Sequence, residues 1–306
     1  YYFQIILCAI ALLVFTKFYY IINGINRPAR WIYLGPISIQ TSDISRLGLI
    51  MFLAGYIDRK KHQLSDFSTG FLPPTLILVL IMSLIIVQPD FSTAILLGII
   101  GGIMLFIGGA NFAHLSAASA TGLCVAIPVL LMEPYRWERV RAWLNRTEDI
   151  SAIGYQAYQS LISLGNGGFL GLGLGNSMEK NMFLPEPHTD FIFSIIGEEI
   201  GFIGILFILT LFLLFFQRGI RIAKDCSDPY GVLLALGISF SIILYSFVNA
   251  AVVANVIPVT GLSMPLISYG GSGLVINMAS IGILLNISQA KRSVLRQNEW
   301  KPKLYG

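Results

Sequence analysis

Arg46, Asp190, Glu198 and Glu199 stand inside or at the ends of long apolar runs in a chain of 306 residues. An ionisable group at the centre of a bilayer costs at least about 2.5 kcal/mol unless it is paired or hydrated, so residues kept there are the first candidates for chemistry. Asp190 closes a polar stretch and opens an apolar one, in the run Leu184-Pro185-Glu186-Pro187-His188-Thr189-Asp190-Phe191-Ile192-Phe193. A carboxylate in that place has two readings. Thr189 or Asp190 can cap the helix that follows, a role both residue types favour and in which the helix dipole also stabilises negative charge. The same dipole keeps Asp190 ionised, as a general base must be, while making it a weaker proton acceptor. The two roles are compatible, and the local sequence leaves both open.

At about 100° per residue, Ser194, Gly197 and Gly201 fall below Asp190 on one helical face with almost no side-chain bulk. Close helix packing is the common use of such a face; a groove for a lipid tail or sugar is the functional one. Glu198 and Glu199 lie about 12 and 13.5 Å along the axis from Asp190, too far for the same chemistry. They read as buried structural or coupling residues, with Arg46 a candidate partner for at least one. Asp43 and Arg46 are expected to turn toward protein rather than lipid.

Arg136, Arg139 and Arg141 stand among Trp137 and Trp143. Guanidinium forks bind pyrophosphate well, and Trp anchors at the headgroup level; plain anchoring against anionic headgroups explains the same residues. Arg27, Arg30 and Trp31 repeat this chemistry earlier in the chain. The run from Pro258-Val259-Thr260-Gly261 to Ser268-Tyr269-Gly270-Gly271-Ser272-Gly273 lacks the Lys of a nucleotide P-loop and reads as a tight re-entrant turn. His62, His114 and His188 are scattered, with no Cys or carboxylate at ligand spacing, so there is no metal motif. Nothing calls for a cofactor, and a divalent-cation requirement stays open.

The elements that must position these residues follow from composition. With 55% hydrophobic and 12% charged residues, the chain departs from soluble domains, which carry about a quarter charged residues. There is no nucleic-acid footprint. Cys8 and Cys124 lie in apolar runs and read as packing residues. Residues 1–15 lack the basic start and cleavage site of a signal peptide, and the start of the chain looks truncated. Eight stretches suit membrane helices, near 1–20, 45–58, 72–88, 92–110, 114–132, 191–216, 230–256 and 273–290. We expect an all-α polytopic bundle in one domain over 1–306. Basic clusters at Arg59 to Lys61, at Arg218, Arg221 and Lys224, and after Lys291 then fall on one face, which the positive-inside rule makes cytoplasmic. The long loop at 133–190 falls on the opposite, extracytoplasmic side. Within it, 155–164 is expected as a helix lying at the interface, with Gln156, Gln159 and Ser160 opposite its apolar face, and the glycines from Gly165 to Gly175 as a segment turning back into the bundle.

The run Phe183 to Phe193 quoted above, followed by Gly197-Glu198-Glu199-Ile200-Gly201, closely resembles the SEDS family, named for shape, elongation, division and sporulation. Gln88-Pro89-Asp90, Gly154-Tyr155-Gln156, Gln159-Ser160 and the two Gly-rich motifs between Pro258 and Gly271 extend the resemblance over nearly the whole chain. It implies a bundle of ten transmembrane helices, of which the first two would be missing here. It implies a peptidoglycan glycosyltransferase of the bacterial plasma membrane, polymerising lipid II onto a lipid-linked glycan strand at the outer face. A class B penicillin-binding transpeptidase would be its partner. The family's essential acidic residue matches Asp190; Lys180, His188 and Ser268 join the arginines as candidate substrate-binding residues. The spacing from Gly171 to Ser177 looks more like division members, which work at the septum, than elongation members. Two motifs depart from the family pattern, Asn26-Arg27-Pro28-Ala29-Arg30-Trp31 and Gln40-Thr41-Ser42-Asp43, though Arg46 keeps the charge of the usual Lys. An elongation polymerase, a lipid II flippase or transporter with proton-binding intramembrane carboxylates, and a scaffold for cell-wall enzymes are the rival readings.

Overall fold

A long apolar run in a membrane can satisfy its backbone polar groups only against itself, and each of the eight stretches is a helix. The computed structural model describes residues 1–24, 29–35, 37–144, 152–177 and 189–299. The eight are α1 (Tyr2–Ile22), α2 (Thr41–Lys60), α3 (Leu72–Val87), α4 (Phe91–Ile107), α5 (Phe112–Met132), α8 (Ile192–Asp225), α9 (Pro229–Val253) and α10 (Gly271–Glu299). Two more, α6 (Pro134–Leu144) and α7 (Ala152–Gly167), come from the long loop. A π-helical turn, Phe67–Phe71, leads into α3. Starts are written locally: Asn111 accepts from the Ala113 N–H at 2.9 Å, and Asp228, followed by Pro229 at the first helical position, accepts from the Gly231 N–H at 3.1 Å. Among the described residues six helices are long and apolar enough to cross a membrane; α4 is shorter, and α2 carries Asp43, Arg46 and Asp58 along its length.

The polar character of α2 has its reason in its place. It lies at the centre of the bundle, packed against α1, α4 and α9, with Leu49, Phe52, Leu53 and Ala54 fully enclosed. Thr41, Ser42, Ser45 and Arg46 are buried in protein, as expected for a charged helix kept from lipid. α5 is the opposite case, with no buried residue along its 21.

Two features go beyond the sequence reading. Residues β1 (Trp31–Leu34) and β2 (Ile37–Gln40) form an antiparallel hairpin with Trp31 opposite Gln40, a small sheet added to the helical bundle where only a loop was expected. And α8 is two helices joined at Gly201, whose φ of 75° and ψ of −172° break the spiral. The re-entrant glycine segment fills the break. The N–H groups of Leu172 and Gly173 donate to the carbonyls of Glu198 and Glu199 at 2.9 and 3.0 Å, and the carbonyls of Gly168 and Phe169 accept from Phe202 and Ile203.

α7, expected as a helix lying at the interface, packs into this junction with its polar side facing protein. Ser160 and Ser163 are wholly buried, donating to the carbonyls of Val253 and Ser194, while Tyr158 and Leu161 point outward. In lipid the apolar side is the outer one.

Candidate active site

The site lies at one end of the bundle, where α1, α3, α5 and α9 end and α2, α4, α8 and α10 begin. Asp190 occupies the turn just before α8, half-buried. The residue at the N-cap of α8 is Phe191, whose side chain makes no capping bond, and Thr189 and Asp190 stand just before it. What fixes the turn is Asn249 of α9, itself buried, whose amide donates to the carbonyls of Asp190 at 2.8 Å and Leu262 at 2.7 Å. One side chain thus ties the start of α8 to the Pro258–Ser268 segment. Asn249→Leu would leave both carbonyls without that donor, at about 1–3 kcal/mol each. We expect a clear fall in thermal midpoint in detergent, with activity lost in step; an unchanged midpoint would mean the turn is held by something else.

Asp190 lines a cavity of about 380 Å³ together with Asp43, Arg46, Arg139, Tyr245 and Ser268. At Gly261, in the Pro258–Ser268 segment, a carboxylate and a cation come together. A Cβ on Gly261, itself at φ 73°, would stand 3.4 Å from Asp190 Oδ2 and 3.9 and 4.0 Å from the two terminal nitrogens of Arg139. A carboxylate oxygen and a guanidinium therefore converge within 4 Å of one point. Arg139 reaches there from α6, donating to the Val259 carbonyl at 3.1 Å and to the Tyr135 hydroxyl, with its guanidinium 4.5 Å over the Tyr135 ring. Ser268 accepts from the Met264 N–H at 2.7 Å and shapes the loop floor.

The other candidates divide. Arg46 bonds to Asn277 Oδ1 at 2.8 Å, lies 3.6 Å from Asp43 Oδ1 and covers the Tyr245 ring at 4.5 Å. The pairing with Glu198 or Glu199 for which it was a candidate is not formed among the described residues. Glu198, wholly buried at the α8 break, accepts from Ser163 at 3.1 Å and from Ser177, serines supplied by α7 and the glycine segment. Glu199 is half-buried, with Oε1 unbonded among the described residues. Arg136 is set in a neighbouring cavity that shares Arg139, and Arg141 is exposed and lines neither. Lys180 and His188 lie outside the described residues. The bare face of Ser194, Gly197 and Gly201 is used for packing, since a Cβ on Gly167 of α7 would fall 2.0 Å from the Gly197 carbonyl oxygen. Asn249, Tyr245 and Asn277 were missed by sequence reasoning: each is polar or amphipathic inside an apolar helix, and that was the only available signal.

This arrangement of α7, a broken α8 and a carboxylate before it can be set beside known proteins. The family model described as the FtsW, RodA and SpoVE cell cycle protein matches residues 1–293. The chain belongs to that family. Family relatives include the "Probable peptidoglycan glycosyltransferase FtsW" of Trichlorobacter lovleyi, 40% identical over 85% of this chain and 68% of that protein. The stage V sporulation protein E of Bacillus subtilis is 41% identical over 87% of this chain and 73% of its own length. Among solved structures, a chain of a peptidoglycan synthase complex that coordinates polymerisation and crosslinking superposes with a TM-score of 0.77, at 25% identity, over 95% of this chain and 81% of that one. The Thermus thermophilus RodA crystal structure gives 0.63 over 94% and 80%, at 24% identity, a likeness of fold. The fold is thus the all-α SEDS bundle, and the chain is an integral membrane protein.

Proposed function

We propose that the chain is a peptidoglycan glycosyltransferase of the FtsW type, polymerising lipid II at the outer face of the bacterial plasma membrane during division. The observation that carries it is the convergence of the Asp190 carboxylate and the Arg139 guanidinium on one point of one cavity. The Asp190 carboxylate takes the proton of the acceptor's 4-hydroxyl as that oxygen bonds to the anomeric carbon of the donor. The bond from that carbon to the diphosphate oxygen breaks, and its electron pair leaves with the polyprenyl diphosphate. Charge develops on that oxygen, where Arg139 offers a preorganised donor. Lys180, His188 and Ser268 remain candidates for contacts to the sugar or peptide.

The basic clusters Arg59 to Lys61 and Arg218 to Lys224 sit at the bundle end away from Asp190, which supports an outward-facing site. The relative within a synthase complex that couples polymerisation to crosslinking supports a class B penicillin-binding transpeptidase as partner. The test is incubation of the purified protein with lipid II, with and without that partner, resolved on a gel for glycan strands. Strand growth with all substrate on one side of the membrane is expected. Transfer of labelled lipid II across vesicles without strand growth would replace the polymerase reading with the flippase one, and neither activity would leave a scaffold.

A further inference from the structure

The run Ser268-Tyr269-Gly270-Gly271, which reads in sequence as part of a tight turn, borders the cavity that Asp190 lines. Among the aromatic side chains of this cavity, Tyr135 and Tyr245 each lie under a guanidinium, of Arg139 and Arg46. Phe191 is buried, and Trp31 is half-buried in the hairpin. Tyr269 is 80% exposed. Among the described residues it packs on no other ring and makes no side-chain hydrogen bond.

Its backbone is nonetheless fixed from both sides. On one, Ser268 Oγ accepts from the Met264 N–H at 2.7 Å and the Ser268 N–H donates to the Met264 carbonyl at 3.0 Å. On the other, the Gly270 carbonyl accepts from the Leu274 N–H at 3.0 Å, and Ser272 Oγ accepts from the Gln40 N–H at 2.9 Å. The turn before it holds Leu266 at φ 67°, a conformation costly to a non-glycine residue and kept only where the surroundings impose it. A free ring thus stands on a stiff base.

An exposed Tyr at an outer face has an ordinary explanation, anchoring among lipid headgroups. The two glycines that follow it do not. Neither Gly270 nor Gly271 has a positive φ, and a Cβ on either would meet nothing within 4 Å. Alanine would fit both places and would lower the entropy of the unfolded chain, so the fold itself gives no reason for glycine. Bare backbone beside open space is what a ligand lying close against the chain requires.

We infer that Tyr269 is the platform on which the acceptor sugar stacks, with the backbone of Gly270 and Gly271 as its edge. The inference rests on the glycosyltransferase reading for calling that sugar the acceptor. A pyranose whose substituents are all equatorial carries only axial C–H bonds on its two faces. Each face is therefore an apolar plate that matches an aromatic ring, while the hydroxyls point sideways. Gln40 and Gln156, which line the same cavity, offer those hydroxyls donors and acceptors. Stacking fixes the plane of the sugar, and the polar contacts then set which hydroxyl faces Asp190.

Binding is read without polymerisation, so that failure here is separable from failure of the polymerase reading. The full-length protein in nanodiscs is mixed with N,N′-diacetylchitobiose, a soluble disaccharide with all-equatorial rings and a free 4-hydroxyl, and its aromatic protons are saturated in a saturation-transfer NMR experiment. Transfer to the axial ring protons of the sugar is expected in the wild type and in Tyr269→Phe. It should be lost in Tyr269→Leu at unchanged thermal midpoint, because the ring is exposed. In polymerisation assays Tyr269→Leu should raise KM for lipid II several-fold to about tenfold with kcat within about twofold, the pattern of a contact made equally in the ground and transition states. Tyr269→Phe and Tyr269→Trp, which keep a ring, should restore KM. Gly270→Ala is the sharper test: the fold alone predicts no effect, and the platform predicts the same rise in KM. No transfer to the sugar in the wild type, or a wild-type KM in Tyr269→Leu or Gly270→Ala, would overturn the assignment and leave Tyr269 a headgroup anchor. Strand growth together with any of these results would leave the polymerase standing, and sugar binding at Tyr269 without strand growth would do the reverse.

Discussion

Asp190→Asn is expected to lower the rate of glycan polymerisation by about 10²- to 10⁴-fold, the usual contribution of a positioned general base. The protein should stay folded and still bind lipid II. The substitution keeps size and shape and removes only the capacity to take a proton. It should cost little stability, because the bond from Asn249 that anchors the turn runs to the backbone carbonyl of residue 190, which any side chain leaves in place. Initial rates from labelled lipid II, read beside the thermal midpoint in detergent, separate the two effects. A variant that polymerises near the wild-type rate would remove Asp190 from the proton transfer. A variant that fails to bind lipid II would make the carboxylate a substrate contact instead. Asp190→Glu, which keeps the base but displaces it by one methylene, should fall between the two, since a general base works only within hydrogen-bond reach.

The helices were legible because hydropathy in a membrane protein is a direct consequence of the solvent, and the eight apolar runs and the eight long helices coincide to within a turn or so at most ends. So was the inward orientation of α2, because charge on Asp43 and Arg46 is tolerated only against protein. Pairing was not legible. Arg46 was a candidate partner for Glu198 or Glu199 by charge, yet the structure gives Arg46 to Asp43 and Asn277 and gives Glu198 to Ser163 and Ser177. Sequence shows which groups need partners but not which faces meet. For α7 the sequence separated a polar from an apolar face but could not say which one meets protein, and its serines have carbonyls to reach inside the bundle. The hairpin at 31–40 offered only four residues per strand, too few for a pattern. For Asp190 the sequence supplied both the candidate and its rival role, and the two are compatible in a residue that stands just before α8 and lines the cavity.

The largest effect on folding is expected at the break in α8. At Gly201 the backbone occupies a region open to glycine almost alone, and a Cβ there would fall 2.4 Å from the Gly171 nitrogen. A Cβ on Gly171, at φ 80°, would fall 2.2 Å from the Glu199 carbonyl oxygen. In both places the obstructing atom is backbone, which cannot swing aside. Gly201→Ala and Gly171→Ala should each combine backbone strain of about 1–3 kcal/mol with overpacking of about 1–3 kcal/mol, a large part of a typical stability of about 5–15 kcal/mol. Gly175→Ala isolates the first of these, because Gly175 also has a positive φ, 82°, but nothing within 4 Å of its missing Cβ. Its variant should lose only about 1–2 kcal/mol, and a Gly201→Ala protein with the same thermal midpoint and yield would show that the glycine segment does not need to seat in the break. The four backbone bonds made there matter in hydrocarbon, where each polar group left unsatisfied costs several kcal/mol. They also set the direction of the first turns of α8, at whose start Asp190 stands. A variant that survives with the segment displaced should therefore lose polymerisation before it loses lipid binding, since Asp190 is moved while Arg139 on α6 is not.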